Sequence, residues 1–491
     1  MSGPRVKILK NGVVNRDVSG LGVDHLNDVD LNDISQIEIV KGPSSLLYAN
    51  GTIGGIINVV DDLISSKNFE LPKVAVGGET QSVNGGNSEF VNLKGNVGGF
   101  NVNFGFKSTE LGNYDVPNGA VIHSEEEHHD EDDHDEEEHH EDEHSEEDLG
   151  YINNSDFAVD ATKFGVSKVT DWGYIGFGID NLESVYGIPF HGDEHGDEHG
   201  EVDYYNIDDS TNSFAVTLGR SLTDNLGVSL GYASVERLPS SIELFMNGPH
   251  MATGRFEVGD PNLNSETSNN FDITFNFDNG DFYAFASFYI TDVDNYIALI
   301  DEEEDHMDED EHHEDEDEHH EDEDEHHEDE HDDHGHGNLI HANYMQEDAE
   351  FDGYEIEFGK SFDLGSGELA LSFGRDVVNA EFADGHYVPR INPARNVYSL
   401  VYTQDDLLFK LMLKDVEKQN DIGEGETATD AYQMLNTRLT KTFNGMGEGE
   451  LKVSLFANNL LDEVARNHSS FVKNEVPLPG RNYGLKFNFD F

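Results

Sequence analysis

From residue 301 to residue 333 every side chain is Asp, Glu or His, apart from Met307. A second run of this kind spans 123–148 and a shorter one, HGDEHGDEH, spans 191–199. Neutral imidazole is the commonest protein ligand for Zn, Cu, Ni and Fe, and carboxylates add charge and weaker donors. Calcium and magnesium sites use oxygen alone, so dense histidine points to a transition metal. With no cysteine in the chain there are no disulfides, and thiolate clusters and Cu(I) sites are disfavoured. By availability zinc leads, with Ni, Cu and Cd as competitors. The candidate capture ligands are His123, His128, His129, His134, His139, His140 and His144; His191, His195 and His199; and His306, His312, His313, His319, His320, His326, His327, His331, His334, His336 and His341. The pairs 312–313, 319–320 and 326–327 recur at a spacing that a helix could bring near one face. So high a charge density predicts instead a chain without fixed structure that collects ions at many weak sites. The bland alternative is a solvated acidic loop with incidental histidines. The formal net charge of −75 excludes a nucleic-acid partner, which needs a basic footprint, and suits cations.

The elements that must hold these runs read as β-strands. Leu226, Val228, Leu230 and Tyr232 alternate with Gly227, Ser229, Gly231 and Ala233. At the C-terminus Tyr483, Leu485, Phe487, Phe489 and Phe491 alternate with Gly484, Lys486, Asn488 and Asp490. Segments with an apolar face outward and small or polar residues inward are the signature of a transmembrane barrel. About 16 strands are expected: 72–82, 86–97, 99–109, 155–168, 171–187, 211–222, 225–236, 266–278, 281–298, 344–361, 367–380, 393–403, 406–416, 429–442, 449–460 and 481–491. Tight connections alternate with long ones, and all three His/acid runs fall in long ones, at 110–154, 188–210 and 299–343. A soluble sandwich, whose strands also alternate, has no reason to sort its loops to one rim. The expected fold is therefore all-β, an antiparallel transmembrane barrel over 63–491, with a partial α+β plug at 1–62. There is no run of about 18 apolar residues for a membrane helix. MSGPRVKILKNGV lacks the apolar segment of a secretory signal, so a signal-bearing N-terminus is expected upstream.

The first 62 residues differ from the rest. IEIVKGPSSLLYANGTIGGIINVV at 37–60 reads as a short strand, a Gly-Pro turn, a small amphipathic piece and Gly-rich backbone entering another strand. This stretch resembles the last part of the plug of TonB-dependent outer-membrane receptors, with Ala49 where the family usually has Gly. FANNLLDEVAR at 456–466 and the terminal Phe491 are also similar to these receptors. A narrower resemblance, to the zinc-uptake branch, is carried by ERLPSSIELFMNGPHMATGRFEVGDPNLNSETSNNFD at 236–272, VYGIPFHGDEHGDEHGE at 185–201, EFDGYEIEFG at 350–359, HSSFVKNEVPLPGRNYG at 468–484 and the pair Asp24–His25.

This resemblance implies an outer-membrane receptor of Gram-negative bacteria that captures Zn2+ on its loops and passes it to a plug-proximal site for TonB-energised import. It implies that Asp24, His25 and His250 line the metal path. The further donor for a tetrahedral ion is Glu257, another loop histidine, water, or a residue from strands that the family has and this chain lacks. Taken without the resemblance, His250 and the Asp24–His25 pair are ordinary loop residues, and no role falls to His386 or His468. The family barrel has 22 strands against about 16 here, the gap lying between 195–201 and 212–221, and Met1 begins inside the plug motif, so a chain shortened in plug and barrel is expected. The implied partners are a divalent metal, outer-membrane lipid and the TonB complex where a TonB box lies upstream; a monomer is expected. No catalytic constellation or catalytic cofactor is expected, Zn2+ being cargo. The alternatives are a non-transporting surface metal-binding barrel, and a siderophore or cobalamin receptor with incidental histidine loops.

Overall fold

The structure is a computed structural model that describes residues 6–15, 29–31, 33–41, 45, 55–122, 150–187, 211–302, 339–446 and 449–491. Its N-terminal part holds a small sheet of β1 (Val6–Lys10), β2 (Val13–Val14), β3 (Ile34–Val40) and β4 (Gly55–Asp61), in the order β2-β1-β4-β3. β1 and β4 run parallel and the other pairs antiparallel. Leu9, Ile56 and Val59 are its buried apolar residues.

The wall follows as long antiparallel strands. β5 (Lys73–Gln81), β6 (Asn87–Val97), β7 (Phe100–Leu111), β8 (Phe157–Thr170), β9 (Gly173–Tyr186), β10 (Phe214–Ser221) and β11 (Leu226–Arg237) come first. A short helix α1 (Ser241–Phe245) and a hairpin of β12 (Asn247–His250) and β13 (Arg255–Val258) interrupt them. The wall resumes with β14 (Glu266–Asp278), β15 (Phe282–Asp301), β16 (Ile340–Asp363), β17 (Glu368–Phe382), β18 (Arg395–Gln404), β19 (Leu407–Val416), β20 (Tyr432–Met446), β21 (Gly449–Asn458) and β22 (Asn482–Asp490). Each expected strand has its counterpart, most within a few residues. α1 and the hairpin, inside what reads in the sequence as a plain connection, are additions.

β11 pairs directly with β14, bypassing the hairpin, and β22 pairs with β5, so the two ends of the barrel sequence meet. The wall then runs from β10 through β22 to β5 and on to β9. No pairing joins β9 to β10 among the described residues, so the wall is open there.

Tyr483, Leu485, Phe487 and Phe491 lie 40–56% exposed on the outside, as an apolar band meant for lipid must. The opposite face is polar: Lys486 reaches across to Glu79 at 3.0 Å. Connections at one rim are tight, as at 98–99, 171–172 and 405–406. The runs at 123–148, 191–199 and 303–338 join strands at the other rim, because each connects an ascending strand to a descending one.

Inside, the N-terminal part is tied to the wall by ion pairs, the Asp30–Lys163 pair being buried. Asp30 meets Lys163 at 2.6 Å and Lys107 at 3.7 Å, and Lys94 meets Asp33 at 2.8 Å and Asp62 at 3.2 Å. Lys10 pairs with Asp180 on β9. Gly165 on β8 allows the chain to pass at Leu63, since a Cβ there would sit 1.8 Å from the Leu63 carbonyl oxygen. At the long-loop rim the inward faces of β15–β17 form an apolar cluster, Val293, Tyr296, Ala349, Phe351, Ala380 and Phe382, capped by Val388 and Ile391 of the following loop.

Candidate functional site

The hairpin sits on a buried ionic base. Arg237, the last residue of β11, holds Glu243 by two hydrogen bonds of 2.8 and 3.1 Å and Glu266 by one of 2.9 Å. Glu243 also accepts from the Ser240 backbone N–H while its own N–H donates to Ser240 Oγ, a capping box that starts α1. Arg237, Glu243 and Glu266 are all buried. Three charges out of water are tolerable only when paired, and removing one would strand its partners.

α1 delivers the chain to NGPH, the turn Met251–Gly254 and RFEV. Gly254 adopts φ +64°, which closes the turn without strain. In the hairpin register His250 lies opposite Arg255 and Gly248 opposite Glu257, so His250 and Glu257 are diagonal neighbours on one face. Their side chains meet: His250 Nδ1 is 2.8 Å from Glu257 Oε1. The same oxygen accepts from Thr253 Oγ1 at 2.8 Å, and Oε2 accepts from the Tyr344 hydroxyl at 3.2 Å. Glu257 is 1% exposed, while the His250 side chain retains 13%. A neutral imidazole whose Nδ1–H is directed to a carboxylate carries its lone pair on Nε2, the tautomer used by metal-ligating histidines backed by an acidic partner.

β13 also lies parallel to the start of β16, with Phe256 opposite His341 and Glu257 opposite Ala342. Arg255 grips Asp301, the last residue of β15, at 3.2 and 2.8 Å. One hairpin thus holds both strands from which the 303–338 run departs. His341 stacks on Phe256, ring centroids 5.0 Å apart. Register puts it on the face opposite His250 and Glu257, so the two histidines are not brought together. Among the described residues no group of three or more His, Asp and Glu is arranged to hold a metal. Asp24, His25, His123 through His144, His191, His195, His199 and His306 through His336 lie outside the described residues.

Beside the hairpin is a second buried network that single letters in loops did not announce. The Arg255 and Arg390 guanidiniums lie over the Phe471 ring, 5.1 and 3.8 Å from its centroid. Glu426 accepts from Lys473 Nζ at 2.8 Å and from the Arg390 backbone N–H at 3.0 Å. His468, wholly buried, donates to or accepts from Thr429 Oγ1 at 2.9 Å, and its Nε2 approaches Glu426 at 3.1 Å outside hydrogen-bond alignment. Burial opposes ionisation of Glu426, but His468, Lys473 and the Arg390 N–H together outweigh it and hold the carboxyl down at about 2. His386, by contrast, is exposed and pairs with Asp384 at 2.6 Å. The interlocking of four loops here arises from contacts far apart in sequence, and no local pattern signals it.

Known proteins share this organisation. The family model for the TonB dependent receptor-like beta-barrel matches residues 79–460, and that for the TonB-dependent receptor plug domain matches 1–56. Among solved structures, the copper transporter OprC is 13% identical, with all of this chain covering 91% of that one at a TM-score of 0.70. A mutant of the ferric enterobactin receptor PfeA from Pseudomonas aeruginosa is 12% identical, with 99% and 90% covered and a TM-score of 0.58. The siderophore receptor PirA from Acinetobacter baumannii is 13% identical, with 100% and 91% covered and a TM-score of 0.59. At these identities the likeness concerns the fold. Taken with the match over most of the barrel, the chain belongs to the TonB-dependent receptors, outer-membrane proteins of Gram-negative bacteria that take up metal or siderophore substrates with TonB.

Proposed function

We propose that this receptor takes up a divalent transition metal, Zn2+ first, rather than a metal chelate. The observation that carries this reading is placement. All three His/acid runs join strands at one rim of the wall, and the longest leaves from β15 and enters β16 beside the carboxylate-backed His250. The runs raise the local concentration of cations. His250 then offers a stronger donor, with Glu257 acting through it by fixing the tautomer, and Asp24 and His25 of the plug complete the path. TonB-driven movement of the plug releases the ion inward.

A second reading is copper. Imidazole and carboxylate donors suit Cu2+ as well as Zn2+, and a given donor set binds Cu2+ more tightly. The solved structure called a copper transporter has the same fold. Titration of the purified receptor with each metal, and with a ferric chelate as competitor, decides among these. Micromolar or tighter Zn2+ binding that a ferric chelate fails to displace supports the reading. Failure to bind Zn2+ at that level defeats it, and growth on limiting copper but not on limiting zinc would transfer the function to copper.

A further inference from the structure

Register sorts the side chains of the wall into an inward and an outward set, and the charges of the outward set are segregated. On β8 the outward residues run Asp160, Thr162, Phe164, Val166, Lys168; on β16 they run Asp352, Tyr354, Ile356, Phe358, Lys360. Each strand thus carries an acid near the long loops and a lysine near the tight turns. The two lie eight residues apart, about 26 Å along the strand, with an uncharged stretch between them. Glu89, Glu183, Glu350 and Glu381 repeat the acid end on other strands, and Arg220 and Lys441 repeat the basic end. An outward arginine among the acids, Arg375, is committed to Glu417 at 2.7 Å. Girdles of aromatic residues are common to barrels that cross membranes; a segregation of charge between the two ends is a separate feature. In a chain with 28 Lys and Arg against 103 Asp and Glu, unsorted placement would put acids at both ends.

The basic end is open to a ligand. Lys168 is exposed, and its Nζ lies 5.0 Å from the centre of the Phe100 ring on β7. Lys360 is built the same way, with Nζ 5.2 Å from the centre of the Phe362 ring. The ring face attracts the ammonium while the aliphatic stem lies along apolar wall, so the charge is held at the border of the hydrocarbon. Trp172, in the turn that follows β8, is 76% exposed, as suits a residue at that border. The turns beyond carry aspartates, Asp171, Asp224 and Asp405 among them. Of the four cations, however, only Lys441 comes within salt-bridge distance of a carboxylate among the described residues, Asp406 at 3.9 Å. We propose that the tight-turn rim binds the headgroup phosphate of anionic glycerophospholipids, with Lys168 over Phe100 as one site and Lys360 over Phe362 as a second. A zwitterionic lipid offers the same phosphate but brings its own cation, which the lysine repels. The acid end of the wall repels an anionic lipid in the other leaflet. The outer face thereby selects both a headgroup and a leaflet.

Trp172 is the chain's only tryptophan and follows Lys168 by four residues, so its fluorescence reports on the first site. The purified receptor is placed in phosphatidylcholine bilayers that contain a minority of phosphatidylglycerol. In one sample the phosphatidylglycerol carries bromine high on its acyl chains and quenches tryptophan; in the other an equal amount of the phosphatidylcholine does. A local preference of about fivefold for phosphatidylglycerol is expected, the effect of one cation beside an anionic headgroup. K168Q should bring it to about parity, K168R should keep it, and K360Q on β16 should leave the Trp172 signal as it was. Raising the ionic strength should shrink the preference of the unsubstituted receptor. Heat-modifiable gel migration checks that each variant is a folded barrel. Equal quenching by the two lipids in the unsubstituted receptor overturns the proposal. A preference that survives K168Q, or one that K168R also loses, overturns it too, because the lysine charge is then not what selects the lipid. An equal loss in K360Q would make the preference a property of the wall's net charge and remove the site.

Discussion

In the proposed reading, the buried carboxylate of Glu257 is what makes His250 a directed donor. The carboxylate is buried and accepts from Thr253 and Tyr344 as well as facing Nδ1, so its position is held whether or not a metal is present. The effect proposed on the metal is indirect, a fixed tautomer and ring orientation. E257Q keeps the shape and removes the charge, and it should weaken Zn2+ binding at this site by about tenfold to a hundredfold. H250A should abolish the same site, and the double variant should be no weaker than H250A alone, because Glu257 acts only through the imidazole. Calorimetry in a background lacking 303–338, where weak loop sites do not mask the isotherm, reads all three. Equal affinities for E257Q and the parent would remove Glu257 from the site. At this scale the sequence says less than it seems to. His250 and Glu257 are both visible as candidates, yet their contact depends on a hairpin register that four-residue strands do not advertise. His468 reads as an idle loop residue and is in fact among the most buried side chains of the molecule.

Strands and loops differ in how far they can be read. The wall strands announce themselves because lipid on one side and a polar interior on the other enforce a period of two over ten or more residues. β12 and β13 are four residues each, with Pro249 in one of them, too short for any period to show, and their docking onto β16 is a contact between distant segments. The loop network around Glu426 has the same character and yields a pH prediction. Its carboxyl is held at about 2, below the ordinary 4.5, so the stabilisation is complete above about pH 4.5 and is lost as pH falls from there toward 2. E426Q removes that contribution at neutral pH, leaving Lys473 without its partner, and should lower the thermal midpoint there. The gap between the two proteins should close progressively on acidification through the same window. Thermal melts at stepped pH test this, and a gap that stays constant from pH 7 to pH 3 would show that Glu426 is not the titrating link between these loops.

At the scale of the molecule, the −75 net charge matters chiefly through where it sits. A soluble protein with this composition would repel itself on all sides. Here the acid runs join strands at one rim, and the lipid-facing band of the wall stays apolar. In the proposed reading, acid gathered at that rim would concentrate cations there and speed their encounter, an effect that salt screens over about 10 Å at 0.1 M ionic strength. Collection by many weak loop sites and selection by a deeper site should therefore separate under the right conditions. Deleting 303–338, with the 302 and 339 ends rejoined by a short Gly/Ser linker, leaves β15, β16 and the hairpin in place. Uptake of labelled Zn2+ by this variant should fall severalfold at zinc concentrations well below saturation and match the parent when zinc is abundant. Raising ionic strength should shrink the low-zinc difference, because screening weakens the field that the deletion removes. Equal loss at low and high zinc would mean that the run takes part in the transport step itself, and the division of labour between a collecting loop and a selective site would have to be abandoned.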